Sequence, residues 1–221
     1  MSTHRARFIR VGAGIAVGVI GVALAYAVNR ALTDVPFQHL LRDPSHVTGT
    51  SPWIGALSFL GWSGWVAAAV LLLTGGWLRR RVHSRDRRGQ FLMVTGSLTF
   101  GVVLDDALQL HERVLPDATG IGEDAWYLLY GFVLVVWAGL YRGELRAAPV
   151  ELAVAAVLLG LSQLLDVVDV ARDIAGAGVP RAVIWEEGLK LIGIGFFVAF
   201  AVIELGRAVV RCEPARGHGP G

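Results

Sequence analysis

The sequence predicts an all-α, polytopic membrane bundle of six transmembrane helices with both termini in the cytoplasm. Three observations carry that prediction. Of the 221 residues, 54% are hydrophobic and the mean hydropathy is +0.57, a composition that soluble domains rarely have. Six apolar segments, near 8–30, 53–78, 91–114, 125–141, 149–171 and 183–205, approach or exceed the ~20 residues that cross a bilayer at about 1.5 Å rise each. Arginines, which make up nineteen of the twenty basic residues, are shared unequally between alternate connections.

Each segment has local signals. The first follows Arg5, Arg7 and Arg10 and closes on Ala-Tyr-Ala, as a secretory signal peptide does. Its apolar run, 11–28, exceeds the usual signal core of about 7–15 residues, so it is read as a retained span. The connection 31–52 is a polar surface loop ending at Pro52. The second segment stops at Trp77 beside Arg79, Arg80 and Arg81, and the third stops before Pro116. A Gly-rich turn at 119–122 precedes the fourth and shortest segment, with Glu123 and Asp124 as helix-start charges. Pro149 opens the fifth, and Gly-rich 175–178 with Pro180 separates it from the sixth. Residues 1–211 thus form one six-span domain, and 212–221 a short cytoplasmic tail.

With the N-terminus inside, fourteen arginines fall on the cytoplasmic side and five on the other. This is the positive-inside bias of a multi-pass protein of the bacterial inner (plasma) membrane. Trp53, Trp126 and Trp185 then fall at outer helix ends and Trp77 at an inner end, as interfacial belts require. The lone Cys212 excludes an internal disulfide and Cys-rich metal sites. The basic residues form short clusters beside apolar segments without interleaved aromatics, so a nucleic-acid partner is not expected. The expected partners are the lipid bilayer and a lipid or small amphiphilic substrate; nothing in the sequence sets the oligomeric state.

Topology gathers scattered acids. Asp105, Asp106 and Glu112 lie in the outer half of the third segment, Asp166 and Asp169 near the outer end of the fifth, and Glu186 and Glu187 at the outer start of the sixth. Ionisable groups in membrane segments are costly, so each is a candidate functional residue. At about 100° per residue, Asp105, Gln109 and Glu112 share one helix face, flanked by Asp106. His111 is displaced to the other side and joins only if the helix is distorted. Ser162, Asp166, Asp169 and Asp173 form a second stripe with Gln163 beside it. Lys190, the only lysine, stands within pairing reach of Glu186 and Glu187. Tyr127 and Tyr130 are read as aromatic packing, and Gly188, Gly193 and Gly195 as points of close helix approach.

The seven acids outweigh Lys190, Arg113 and Arg172 by four charges if all ionise. Buried charge of that size must be neutralised by protons or cations. Oxygen ligands suit one or two divalent ions, among Mg, Ca, Mn, Fe and Zn. No Glu-x-x-His or His-x-x-x-His occurs, so the spacing does not match the usual di-iron bundle and gives no support to zinc enzymes built on the latter.

The expected function is therefore a metal-dependent membrane enzyme, a hydrolase or an oxidoreductase, with a carboxylate-rich pocket opening outward. Asp105, Glu112, Asp166, Asp169, Glu186 and Glu187 are its metal ligands, His111 and Lys190 its catalytic side chains. Asp106, Gln109, Ser162, Gln163 and Asp173 stand behind them. The alternative is a cation or proton-coupled transporter using the same acids. The apolar run Leu191–Ile203 and the apolar first half of the fifth segment favour a closed pocket over a pathway. The Glu186–Lys190 spacing resembles the Asp-x-x-x-Lys of microbial rhodopsins. Those have seven spans, and an ion pair accounts for the spacing here.

Overall fold

The structure is a computed structural model that describes residues 19–20, 23–24, 26–27, 30–31, 48–51, 55–174 and 182–212; the side chains at 112, 124, 166–174, 182–184 and 212 fall outside that description. Two compact units are present, Met1–Ala56 and Leu57–Gly221. In the first unit the described residues between 19 and 31 are helical, and most of the predicted first span lies outside the described residues.

From Ala56 onward the order is α1 (Ala56–Val82), α2 (Arg87–Leu108), a π-helical turn (Leu110–Val114), α3 (Leu115–Thr119), α4 (Glu123–Leu140), α5 (Arg142–Arg146), α6 (Val150–Ile174) and α7 (Ala182–Cys212). Among the described residues there is no strand. The described residues are all-helical in their regular structure, and among them three helices are long and apolar enough to span a membrane: Ala56–Val82, Arg87–Leu108 and Trp185–Arg211. Ala125–Leu140 and Val150–Leu165 are shorter apolar helices.

Two boundaries depart from the periodicity. The third apolar segment is not one helix: α2 ends at Leu108, and Gln109 turns left-handed (φ 50°, ψ 47°). The sixth segment continues to Cys212, because buried Ala208 keeps the helix against the bundle beyond residue 205.

The core is built where α1, α2, α6 and α7 meet. Phe91 is its centre, stacked on Trp137 at 5.8 Å and edge-on to Phe200 at 6.4 Å. Trp65 meets Phe197 edge-on at 5.4 Å. Ala68, Leu72, Leu92, Ala155 and Ile194 fill the remaining space. Helices α1 and α2 approach so closely that only glycine fits at the crossing. A methyl group on Gly76 would lie 2.7 Å from the Gly89 carbonyl oxygen and 2.9 Å from the Met93 nitrogen. On Gly96 it would lie 3.0 Å from the Ala69 oxygen. Small residues are how helices pack when lipid removes the hydrophobic drive between them. Of the three glycines expected to seat α7, Gly193 does so, since a methyl group there would lie 2.9 Å from Leu159, whereas a methyl group on Gly188 or Gly195 would meet nothing within 4 Å among the described residues.

Two buried threonines of α2 are satisfied locally. The Thr95 hydroxyl donates to the Phe91 carbonyl at 2.7 Å and Thr99 to the Thr95 carbonyl at 2.8 Å, while Trp137 Nε1 donates to Thr95 Oγ1 at 3.2 Å. Large side chains face outward along the helices, among them Leu128, Phe132, Val135 and Val202. The packed middle leaves two polar ends, one bearing Asp105, Tyr127 and Lys190, the other bearing Arg79, Arg88 and Glu204.

Candidate functional site

The site begins with the break in α2. On a continuous helix His111, six residues after Asp105, would stand about 240° around the axis, away from it. Instead Gln109 adopts the left-handed conformation, and its N–H still closes on the Asp105 carbonyl. The chain then widens: the Arg113 and Val114 nitrogens both donate to the Gln109 carbonyl, at 3.0 and 3.3 Å. Such π turns are rare and concentrate at functional sites. A left-handed glutamine costs about 1–2 kcal/mol. The Asp105 carboxylate offsets this by accepting from the His111 N–H at 3.1 Å and by pairing with His111 Nδ1 at 2.6 Å.

Helix α4 completes the arrangement. Tyr127 and Tyr130, one turn apart, lie on the face toward α2. Tyr130 donates its hydroxyl proton to Asp105 Oδ1 at 2.9 Å, and the Tyr127 hydroxyl lies 3.2 Å from His111 Nε2. Both rings meet the imidazole edge-on, at 4.8 and 5.9 Å. With Nδ1–H given to the carboxylate, Nε2 carries the lone pair and accepts from Tyr127. The imidazole and carboxylate side chains are only 13% and 15% exposed, so the pair is reachable yet shielded from bulk water.

Asp106 points its chemistry elsewhere. It accepts a hydrogen bond from Trp62 Nε1 of α1 and another from Lys190 Nζ of α7 at 3.3 Å. Both members of this ion pair are 30% exposed. Two adjacent aspartates thus serve two clusters: Asp105 holds a base, and Asp106 holds a cation.

A family described as Domain of unknown function (DUF8692) matches residues 14–203. The chain belongs to that family. No curated protein and no solved structure matches it. The DUF8692 match covers every residue of both clusters but stops short of Glu204 and the arginines that follow.

Within the DUF8692 region, the remaining predicted site residues are placed as follows. Glu112 lies in the π turn, and Asp166, Asp169 and Asp173 on the last turns of α6, with side chains outside the described set. Glu186 is half-buried one turn before Lys190; Glu187, Gln109 and Gln163 are exposed. Ser162 is fully buried, and its hydroxyl has no hydrogen-bond partner among the described residues. Among the described residues no group of three or more His, Cys, Asp or Glu side chains lies close enough together to hold a metal ion.

Three participants went beyond the sequence reading. Tyr127 and Tyr130, expected to pack, are hydrogen-bonded to the dyad. Trp62 was not singled out, although a tryptophan well inside an apolar segment, away from either interface, is a signal that its N–H has a partner.

Proposed function

We propose that this chain is a membrane-embedded enzyme of six spans with cytoplasmic termini, whose Asp105–His111 pair moves protons on a lipid or amphiphilic substrate at the extracytoplasmic face. The observation that carries the reading is the aligned series Tyr130–Asp105–His111–Tyr127 at a left-handed break. Asp105 fixes the tautomer and stabilises an imidazolium, while Nε2 takes the Tyr127 hydroxyl proton as that hydroxyl takes one from an attacking hydroxyl or water. Lys190, steadied by Asp106, supplies positive charge for an anionic group of the substrate.

The topology agrees with this. Alternating spans run α2 outward and α1, α4 and α7 inward, which sets Asp105, Trp62, Tyr127 and Lys190 at one outer level. Fourteen arginines against five support that orientation. Glu112, Asp166, Asp169, Glu186 and Glu187 remain the proposed ligands for one or two divalent ions, with Asp105 engaged in orienting His111. Carboxylate-bound metal would activate water or polarise a phosphoryl oxygen.

The test is lipid mass spectrometry. Wild-type protein in nanodiscs made from a bacterial polar lipid extract converts a lipid species, with and without added Mg²⁺ or Mn²⁺, and His111→Gln does not. If instead no lipid changes and His111→Gln abolishes proton or cation flux in proteoliposomes, the enzyme reading fails and the transporter reading replaces it. Metal content of the purified protein, measured by elemental mass spectrometry before and after Asp166→Ala with Asp169→Ala, decides the metal assignment separately.

A further inference from the structure

The opposite end of the bundle holds a cavity of about 750 Å³, bounded by the end of α1, the start of α2, α5 and the end of α7. Its charged lining is Arg79, Arg88, Arg207 and Arg211 against Glu144 and Glu204. Four guanidinium groups thus face two carboxylates, and the wall is positive.

Part of this charge is structural. Glu204 is 1% exposed and takes a forked pair from Arg88, Nη2 to Oε1 at 2.8 Å and Nε to Oε2 at 3.0 Å. Arg207 Nη1 adds a third bond at 2.7 Å. Arg88 also donates to the Glu144 carbonyl, and Arg79 is tied to Asp86 at 2.6 Å. These contacts fix the wall but do not use up its donors, because a guanidinium has five N–H groups. Arg207 is half-exposed and Arg211 exposed, and both line the cavity. The negative side has its own surplus. Glu144 Oε1 pairs with Arg87 at 2.9 Å, whereas its Oε2 is buried and has no hydrogen-bond partner among the described residues.

The cavity therefore presents the exposed guanidinium groups of Arg207 and Arg211 beside the Glu144 carboxylate. Forked guanidinium groups match the oxygens of phosphate. We propose that this cavity binds a phosphate ester, with Arg207 and Arg211 on its oxygens and the accessible edge of the Glu144 carboxylate, shared with Arg87, facing an amine or hydroxyl of the same molecule. The ester is either the head group of a phospholipid or a soluble phosphate. Basic pockets between helix ends are how membrane proteins hold lipid head groups. The proposal does not depend on the Asp105–His111 chemistry, which lies at the other end of the bundle.

The full-length protein in a non-ionic detergent is mixed with short-chain phosphatidylethanolamine, phosphatidylglycerol or phosphatidylcholine, and separately with inorganic phosphate. Binding is followed by native mass spectrometry and by thermal shift. Arg211→Gln leaves every hydrogen bond described above in place, so it reads the cavity rather than the fold. If the ligand is a lipid, phosphatidylethanolamine is retained over phosphatidylcholine and Arg211→Gln weakens it by about tenfold, the worth of one charge-assisted contact. If it is soluble, inorganic phosphate raises the melting temperature in wild type and not in Arg211→Gln, while no phospholipid is retained. Failure of both probes to bind, or equal binding by wild type, Arg211→Gln and Arg207→Gln, overturns the proposal, and neither result bears on lipid turnover at His111.

Discussion

Replacing Glu204 by alanine isolates the largest electrostatic commitment described in this bundle. The change deletes three charge-assisted hydrogen bonds, two from Arg88 and one from Arg207. The two arginines respond differently. Arg207, 51% exposed, turns to water and loses little. Arg88, 13% exposed and lying 4.8 Å over the Phe91 ring, has no such escape. A buried charge stripped of its partner costs about 3–5 kcal/mol. Replacing both ends, Arg88→Met with Glu204→Leu, removes the stranded charge along with the pair. The remaining loss is the Arg88 donor to the Glu144 carbonyl, about 1 kcal/mol. Unfolding in mixed micelles, followed by far-UV circular dichroism against denaturing detergent, should therefore show Glu204→Ala as less stable than the double variant by about 2–4 kcal/mol. Single and double variants equally destabilised would refute the reasoning, since Arg88 would then be at ease without its carboxylate.

Other expectations concern the site, the helix crossing and pH. Asp105→Asn should leave the fold intact but misplace the His111 tautomer, lowering lipid turnover on the order of 10²-fold or more; Tyr130→Phe should act in the same direction and more weakly. Gly76→Ala places a methyl 2.7 Å from the Gly89 oxygen, so α1 and α2 must part. The expected loss is about 1–3 kcal/mol in the same unfolding assay, against a near-neutral Gly139→Ala, which meets no atom within 4 Å. Asp86 links α1 to α2, and burial alone would raise its pKa. The hydrogen bond and charge of Arg79, the Gly89 N–H and the charge of Arg211 outweigh that and hold it below the usual range. Because the folded value is the lower one, its stabilisation is complete above about pH 4 and is lost as pH falls through the folded pKa. Melting temperature should drop in that acid window for wild type, and Asp86→Asn should be less stable at neutral pH and flatter below it.

The helical class and three long helices were readable because α1, α2 and α7 announce themselves by length and apolarity, with arginines at one end. The site was readable only in part. Asp105, Asp106 and Lys190 stood out as charges among apolar neighbours. The helical wheel set His111 apart from Asp105 because it assumes 3.6 residues per turn, and nothing at Gln109 marks a left-handed residue: glycine or asparagine would have been the usual signal. Lys190 looked committed to its own helix, to Glu186 and Glu187, since local spacing is visible in sequence and an α2–α7 contact is not. Glu204 was passed over as the end of an apolar run. Its i+3 neighbour Arg207 offered a hint, but the dominant partner, Arg88, lies 116 positions away.

The left-handed residue at 109 acts as a joint between two helical registers that Asp105 ties together. Upstream, Phe91, Thr95 and Val103 must keep their phase with the core; downstream, His111 keeps its phase with the tyrosines of α4. On an unbroken helix any slip that repacked the core would rotate the base out of alignment. With the joint, Asp105 and the tyrosines of α4 set the base, so its alignment does not follow from the phase of the core alone.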